Sequence, residues 1–307
     1  MTKTCSELFQ GMDCTIIGNG NEEVAGLAFR SDEVRPNDMF FCIVGTVVDG
    51  HSFAQDAIDR GATSLVAERK VYLADATDVT EVVVSDSRKA MAYASANFYD
   101  NPSRAFSLVG ITGTNGKTTT TYLVEHIASV AGNRCGVIGT VGNKIAGVME
   151  HAERTTPESP DLQKLFARMR DAGCTVVAME VSSHALDLRR TWDTDFAVTA
   201  FTNLTQDHLD YHHTFDDYFE AKALLFSKDY PARRVISIDG SWGRELLRRC
   251  TAAGDEVITT GFDVSAQIHP VEVTYEAART KAVLEVRGTR IAVEYPLVGR
   301  FNVENVM

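Results

Sequence analysis

Residues 110–121 have the sequence GITGTNGKTTTT, and a short apolar run leads directly into this glycine-rich turn. Gly113 and Gly116 allow the backbone to direct its amide groups toward an anion, and the helix that follows presents the positive end of its dipole. Lys117 adds a point charge, and Thr118 offers a hydroxyl to Mg²⁺. The stretch therefore predicts a strand, a phosphate-binding loop and a helix, with a nucleoside triphosphate as ligand.

The loop departs from the pattern GxxxxGK[ST], because Ile111 stands where the first glycine is expected. A glycine turn that only caps a helix is the structural alternative. Such a turn has no need of a lysine, and four consecutive threonines form helix poorly. We therefore predict that the nucleotide is bound by Gly113, Thr114, Asn115, Gly116, Lys117, Thr118 and Thr119.

The composition is that of an ordinary globular protein, with 307 residues, 44% hydrophobic and 23% charged, enough for two domains. The formal net charge of −12 argues against nucleic acid as a partner. The six cysteines have no metal-ligand spacing, no apolar run is long enough to span a membrane, and the N-terminus lacks the apolar segment of a signal peptide. We expect a reduced, cytoplasmic monomer that is not inserted in a membrane.

The pattern of elements predicts an α/β fold in two domains, residues 1–104 and 105–307. Short strands and helices alternate in the first domain, which ends where Asn101-Pro102-Ser103 stops an alanine-rich helix. In the second domain, strands alternate with helices, which indicates a mostly parallel sheet covered by helices. Three further strand-like runs suit a small antiparallel annex, at residues 267–274, 281–287 and 290–294.

Polar residues follow the predicted strand at 175–181, and ligands of parallel sheets bind at the carboxyl ends of the strands. Glu180 is costly to bury unless a cation neutralises it, so Mg²⁺ binding is a natural role; a capping or salt-bridged glutamate is the alternative. Ser182 suits either ligand binding or the capping of a turn.

A second strand, predicted at 195–202, leads to His208, which lies beside two aspartates. Its position at the carboxyl end of a strand makes His208 a candidate metal ligand, although a lone histidine is more often structural. His212 and His213 lack the helical spacing and the cysteine partners of a zinc site. We therefore do not predict zinc.

Lys222 lies on the apolar face of a predicted helix, where its neighbours three and four residues away are Tyr218, Phe219, Leu225 and Phe226. Burial favours a neutral amine, and a neutral amine reacts with CO₂ to give a carbamate that binds Mg²⁺ as a carboxylate does. Composition alone favours the simpler alternative, a lysine whose ammonium group reaches solvent.

Six motifs, in order, resemble those of the Mur ligases, and most closely the MurE type. They are GITGTNGKTTTT (110–121), RTTPES (154–159), MEVSSHAL (179–186), FTNLTQDHLDYH (201–212), YFEAKALLF (218–226) and GRFNVEN (299–305). Enzymes of this type join a diamino acid to UDP-N-acetylmuramoyl-L-alanyl-D-glutamate in peptidoglycan synthesis. The resemblance covers essentially the whole chain and reverses the preference at Lys222, which matches the family's carbamylated lysine.

The resemblance implies roles for further residues. Glu180 and His208 match the family's magnesium ligands, beside Thr118 and the Lys222 carbamate. Asn302 matches a position that contacts the nucleotide base. The positions that hold the muramoyl peptide are matched by Thr155, Thr156, Ser182 and Arg190, with Arg154 where Asn or His is more usual.

The first domain resembles the family's UDP-binding domain through LAFRSDEVRPNDMFF, where the usual Asp-Ser-Arg appears as Arg30-Ser31-Asp32. Ser31 keeps its place, which implies uridine binding. The family's third domain, which selects the amino acid, has no counterpart here, and GRFNVENVM stops within a helix-like pattern. We expect a fragment of a longer protein, one that binds its ligands without completing turnover.

The implied reaction is phosphoryl transfer from ATP, with Mg²⁺, to the glutamyl side-chain carboxylate, followed by attack of the amine of meso-diaminopimelate or L-lysine on the acyl phosphate. Three alternatives stay open at this point. They are a related ligase of the cyanophycin synthetase or folylpolyglutamate synthase type, a regulatory NTPase with a phosphate-binding loop, and a fragment that only binds the UDP-muramoyl peptide.

Overall fold

A computed structural model describes residues 2–45, 48–74, 78–207 and 209–307. The chain divides into two compact units. The first comprises Met1–Pro102, Glu158–Ala167 and Leu188–Thr194, and the second comprises Ser103–Pro157, Arg168–Asp187 and Asp195–Met307.

The first unit is built on a small mixed sheet. Its strands are β1 (Lys3–Thr4), β2 (Thr15–Ile17), β3 (Glu23–Val24), β4 (Gly26–Ala28), β5 (Asp38–Phe41), β6 (Ser64–Ala67) and β7 (Thr80–Val83), and its helices are α1 (Cys5–Leu8), α2 (Ala54–Asp59) and α3 (Ser87–Phe98). Five strands pair in the order β2-β7-β6-β5-β4, with β2 antiparallel and the others parallel, while β1 pairs with β3.

Both faces of the five-stranded sheet are buried. Met39 and Phe41 of β5 pack in one apolar cluster, with residues of α1 and α3, whereas Phe40 and Cys42 pack in another, with alanines of α2. Successive side chains of a strand point to opposite faces, so a strand covered on both faces is apolar at every position. This explains why MFFC at 39–42 shows no alternation.

The second unit contains a sheet of eleven strands among the described residues. The strands are β8 (Ser107–Thr112), β9 (Cys135–Gly139), β10 (Gly142–Ile145), β11 (Val148–Glu150), β12 (Val176–Glu180), β13 (Val198–Phe201), β14 (Arg233–Ser237), β15 (Val257–Thr260), β16 (Ile268–Tyr275), β17 (Thr280–Val286) and β18 (Thr289–Tyr295). The helices that follow α3 are α4 (Lys117–Val130), α5 (Ser159–Asp171), α6 (Ser183–Asp187), α7 (Leu209–His212), α8 (Phe215–Ala223), α9 (Ser241–Ala252) and α10 (Arg300–Val306).

The strand order is β11-β10-β9-β12-β8-β13-β14-β15-β16-β17-β18, and the run from β9 to β16 is parallel. β8 therefore lies between β12 and β13, with Ile111 opposite Glu180 and Thr112 opposite Phe201. The carboxyl ends of these three neighbouring strands meet at one edge of the sheet. Ligands of open parallel sheets bind at such an edge.

The predicted α/β fold is confirmed, and most element bounds agree within a few residues. The hairpin β10–β11 was not predicted, because its turn, Ala146-Gly147, lacks the Asn-Gly or Asp-Gly signal although both residues have positive φ (48° and 94°). The predicted helix that carries Lys222 is α-helical only to Ala223 and ends in a 3₁₀ turn, Leu224–Phe226. The predicted antiparallel annex is β16–β18, which continues the same sheet through one parallel bridge to β15.

All six cysteines are free thiols. Burial raises the pKa of the Cys5 and Cys42 thiols to about 12, so both behave as small core residues. Within the described part of the chain, no helix has the length and apolarity needed to cross a membrane.

Candidate functional site

The glycine-rich loop connects β8 to α4, and its shape depends on two glycines. Gly113 and Gly116 have φ values of 147° and 90°, a region that L side chains rarely adopt. A Cβ atom at Gly113 would lie 1.9 Å from Thr202 Oγ1, and one at Gly116 would lie 2.3 Å from Asn305 Oδ1. Only glycine fits either position, so the loop geometry is fixed by close packing against its neighbours.

Residues after β13 hold the loop from the side. The Asn115 N–H donates to Asn203 Oδ1 (3.0 Å) and the Thr114 N–H donates to the Asn203 carbonyl oxygen (2.9 Å). The Thr202 hydroxyl donates to the Asn115 carbonyl oxygen at 2.6 Å. These bonds fix the conformation of the loop before any ligand binds, which lowers the ordering cost of binding.

Two lysine side chains share one carbonyl oxygen of the loop. Lys117 Nζ donates to the carbonyl oxygens of Gly113 and Thr114, both at 2.9 Å. Lys222 Nζ, from α8, also donates to the Gly113 oxygen at 2.9 Å and lies 4.5 Å from the centre of the Tyr218 ring. The sequence predicted both lysines as functional residues, and the fold brings their amines to the same atom.

The environment disfavours a positive charge on Lys222, because this residue is only 1% exposed to solvent. Burial, followed by repulsion from Lys117, lowers the pKa of the Lys222 amine well below its usual value, and the Asp207 carboxylate opposes this shift. Burial also lowers the pKa of Lys117. The alternative that composition alone favoured, an ammonium group that reaches solvent, is excluded because the side chain is buried and its Nζ donates to the Gly113 carbonyl oxygen.

Glu180, at the end of β12 and 1% exposed, is a centre of hydrogen bonding at the sheet edge. Its Oε1 accepts bonds from the Thr118 hydroxyl and from the Thr140 N–H, both at 2.9 Å, and its Oε2 accepts from the Thr140 hydroxyl at 3.2 Å. A Cβ at Gly139 would lie 2.3 Å from Oε1. The carboxylate is thus held beside the first turn of α4.

Three of the predicted substrate residues lie near Glu180, through its main chain or through Thr140. The Thr155 and Thr140 hydroxyl oxygens are 2.9 Å apart. The buried Thr156 hydroxyl donates to the Glu180 carbonyl oxygen (2.8 Å) and accepts from the Ser182 N–H (3.1 Å). Ser182 Oγ accepts from the Ala185 N–H at 3.2 Å, so this serine caps α6 as well.

Other predicted residues lie elsewhere on the second unit. Thr119 is partly exposed on the first turn of α4, and Arg154 is exposed in the loop before α5. Asn302, 7% exposed, donates to the Val298 carbonyl oxygen at 2.9 Å at the start of α10. Base contact by Asn302 stays a prediction.

Ser31 belongs to the first unit and begins a 3₁₀ turn, Ser31–Glu33. Its hydroxyl bonds the Asp56 carboxylate and lowers the pKa of that group. The two exchanged charges pair with each other, since the Arg30 guanidinium donates to both carboxylate oxygens of Asp32, at 3.2 and 3.0 Å. Uridine binding by Ser31 stays a prediction.

Arg190 also belongs to the first unit, in the segment 188–194. Its guanidinium Nη2 lies 2.8 Å from Glu158 Oε1, and both side chains are largely buried. Sequence reasoning gave no role to Glu158.

Thr140 and Tyr218 are site residues that sequence reasoning missed. The Tyr218 hydroxyl lies 3.2 Å from Thr114 Oγ1, and its ring lies beside the Lys222 amine. Thr140 directly follows β9, so the rule that places ligands at carboxyl ends of parallel strands would have found it. His208 lies outside the described residues, and among the described ones no group of three or more His, Cys, Asp or Glu side chains is arranged to hold a metal.

Both parts of the chain match domains of one protein family. Residues 111–307 match the Mur ligase middle domain, and residues 23–111 match the Mur ligase family catalytic domain. Over 295 residues, the chain is 42% identical to the UDP-N-acetylmuramoyl-L-alanyl-D-glutamate–2,6-diaminopimelate ligase of Geobacillus thermodenitrificans (strain NG80-2). Over 301 residues, it is 37% identical to the ligase of the same name from Clostridium botulinum (strain ATCC 19397 / Type A).

These alignments cover 94% and 98% of this chain, but only 59% and 61% of the two relatives. A solved structure of a UDP-N-acetylmuramoyl-L-alanyl-D-glutamate–2,6-diaminopimelate ligase superposes with a TM-score of 0.85 at 26% identity, over 100% of this chain and 62% of that one. The MurF ligase of Thermotoga maritima, solved in complex with ADP, has the same fold, with a TM-score of 0.59 at 21% identity over 92% of this chain and 60% of that one. The domain matches and the sequence relatives together establish that this chain belongs to the Mur ligase family.

Proposed function

We propose that this chain is the nucleotide-binding and muramoyl-peptide-binding part of an ATP-dependent ligase. The complete enzyme adds a diamino acid, 2,6-diaminopimelate or L-lysine, to UDP-N-acetylmuramoyl-L-Ala-D-Glu. The relatives that carry the 2,6-diaminopimelate ligase name support this substrate class, although the chain spans about three fifths of their length.

The proposal depends mainly on the Glu180 carboxylate, which accepts a hydrogen bond from the Thr118 hydroxyl beside the glycine-rich loop. A buried carboxylate and a hydroxyl at the start of a helix are oxygen donors of the kind that Mg²⁺ prefers when it bridges a protein and a phosphate. The positive φ of Gly113 and Gly116 and the Lys117 amine suit the phosphates of ATP. The residues present therefore fit both groups.

Lys222 fits a carbamate. A primary amine must lose its proton before it attacks CO₂, and burial beside Lys117 favours the neutral form. Attack of the neutral amine on CO₂ releases one proton and leaves an anion next to Lys117, so carbamylation adds an attractive contact that the neutral amine lacks. We propose that the carbamate, Glu180, His208 and the Thr118 hydroxyl hold Mg²⁺.

When bound, Mg-ATP supplies the phosphoryl group that activates the glutamyl carboxylate as an acyl phosphate. The loop amides and Lys117 orient the phosphates and offset their charge. Thr155, Thr156 and Ser182 lie around Glu180 and suit the peptide end of the substrate. Arg154 and Arg190 supply positive charge for its carboxylates, Ser31 suits the uridine, and Asn302 suits the adenine.

Calorimetry on residues 1–307 tests the proposal, first with Mg-ATP and then with UDP-N-acetylmuramoyl-L-Ala-D-Glu. Each ligand should bind, and each should stabilise the chain by about 2.7 kcal/mol at a hundredfold excess over Kd. Lys117→Ala should abolish Mg-ATP binding and leave binding of the muramoyl nucleotide intact. Lys228→Ala, at an exposed lysine of the same unit, is the matched control.

Three outcomes would contradict the proposal. Unchanged ATP affinity in Lys117→Ala would remove the loop from the function. Binding of ATP without any binding of the muramoyl nucleotide would favour a regulatory NTPase or a folylpolyglutamate-type ligase. Binding of the muramoyl nucleotide without ATP would leave a fragment that only binds its substrate.

A further inference from the structure

The segment 188–194 of the first unit contains Arg190, the arginine proposed above to meet a carboxylate of the muramoyl peptide. An arginine side chain has several rotatable bonds, and ordering it on binding costs affinity. An arginine that is already fixed in the free protein avoids that cost. The contacts that fix Arg190 therefore bear on how tightly the substrate binds.

Glu158 holds the side chain of Arg190. Its carboxylate Oε1 lies 2.8 Å from Arg190 Nη2, within hydrogen-bonding distance, and Glu158 is 7% exposed. At this burial the attraction between the two charges is screened far less than at a surface pair. A guanidinium carries five N–H donors in one plane, so a bond to Glu158 is compatible with a bond to a ligand carboxylate.

The first turn of α5 holds the main chain of the same segment. The Ser159 hydroxyl donates to the Arg190 carbonyl oxygen at 3.1 Å. Farther along the helix, Gln163 Nε2 donates to Thr194 Oγ1 at 3.3 Å, and both residues are buried. Main-chain and side-chain contacts from 158–163 thus fix both the position of Arg190 and the direction of its guanidinium.

A second arginine lies on the other side of the Glu158 carboxylate. Arg88, in the first turn of α3, places Nη1 3.9 Å from Glu158 Oε2. A carboxylate between two guanidinium groups is restrained from both sides, so it is a more rigid partner for Arg190 than a carboxylate with one cation.

We propose that Glu158 is a positioning residue for substrate recognition, with Arg88 restraining it. It fixes the Arg190 guanidinium in the orientation that receives the carboxylate of the terminal glutamyl residue that does not react. This inference rests on the proposed function, because it takes the muramoyl peptide as the ligand. It adds Glu158 and Arg88 to the residues that determine affinity for an acidic peptide end.

The test is a thermodynamic cycle on residues 1–307, with calorimetric Kd values for two ligands. One is UDP-N-acetylmuramoyl-L-Ala-D-Glu, and the other carries an amide in place of the glutamyl α-carboxylate. Glu158→Gln keeps the shape of the side chain but removes its charge. It should weaken binding of the carboxylate ligand by about ten- to hundredfold, as expected when a partner that orients a binding group is lost, and should weaken the amide ligand by less than about twofold.

Glu245→Gln is the matched control, because Glu245 also lies between two arginines, Arg248 and Arg249, but on the exposed surface of α9. It should change neither Kd. Mg-ATP affinity, measured on both variants, reports whether the second unit is folded, and binding of the amide ligand reports on the rest of the chain. Arg88→Gln should raise the Kd of the carboxylate ligand, as Glu158→Gln does, but by a smaller factor.

The outcomes separate the inference from the function on which it rests. If the unaltered chain binds neither ligand, the proposed function fails and this inference fails with it. If the unaltered chain binds the carboxylate ligand and Glu158→Gln binds it equally well, only the inference is overturned. Equal losses for both ligands would also overturn it, since they would assign Glu158 to general stability.

Discussion

Lys222→Met tests the electrostatic argument at the loop most directly. Methionine has nearly the shape of the lysine side chain but no titratable group. Burial lowers the pKa of Lys222 in the folded chain, while the unfolded chain keeps the ordinary value of 10.5. Above pH 10.5 the amine is neutral in both states and does not affect the free energy of unfolding. As the pH falls from 10.5 toward the folded pKa, only the unfolded chain takes up the proton, so the free energy of unfolding decreases. The free energy of unfolding of the unaltered chain should therefore decrease between pH 9 and pH 7 through this group. Lys222→Met has no amine at this position and should not show that decrease.

The size of the effect follows from the linkage relation. While the pH stays above the folded pKa, holding the amine neutral costs about 1.4 kcal/mol for each pH unit below 10.5. Lowering the pH from 9 to 7 therefore adds at most about 2.7 kcal/mol to the relative stability of Lys222→Met. The lost hydrogen bond to Gly113 costs the variant about 1 kcal/mol, and that cost is the same at both pH values.

Urea unfolding followed by Trp242 fluorescence is a suitable assay. The ring centres of Trp242 and Phe219 are 4.8 Å apart, and Phe219 belongs to the helix that carries Lys222. The chain has two tryptophans, so a Trp192→Phe background makes the signal specific to Trp242. Buffers at pH 7 and pH 9 are purged of CO₂, which keeps Lys222 unmodified. Lys228→Met, at an exposed position, is the control.

A difference in unfolding free energy between Lys222→Met and the unaltered chain that is the same at pH 7 and pH 9 would refute the reasoning. It would mean that the buried amine stays protonated across this range. The desolvation argument for a carbamate at this position would then be lost as well.

Two further predictions concern the loop and the buried arginine of β14, Arg234. Gly113→Ala should abolish Mg-ATP binding in calorimetry, because the new Cβ would lie 1.9 Å from Thr202 Oγ1, whereas Gly240→Ala, which meets nothing within 4 Å, should bind normally; equal affinities would contradict the packing argument. Arg234→Met should lower the urea unfolding free energy by about 3 kcal/mol, because the buried guanidinium donates to three main-chain carbonyl oxygens that would lose their partner; a loss below about 1 kcal/mol would mean that solvent replaces those bonds.

The sequence by itself determined the local features of the site. The spacing of Gly113, Gly116, Lys117 and Thr118 specifies a strand, a turn and a helix start, because positive φ and a helix N-terminus are properties of adjacent residues. The neighbours of Lys222 at three and four residues also placed it on the apolar face of its helix, but they left open whether its amine reaches solvent. These inferences need no knowledge of which strands are neighbours.

Only the tertiary structure decided which distant residues meet. The amines of Lys117 and Lys222 reach one carbonyl oxygen, that of Gly113, because α8 packs beside the loop. Lys222 is 109 residues from Gly113 along the chain. Thr140 reaches Glu180 because β9 pairs with β12. Strand order and helix packing are set by the burial of whole apolar faces, which acts without direction and over the entire chain, so no local pattern specifies them.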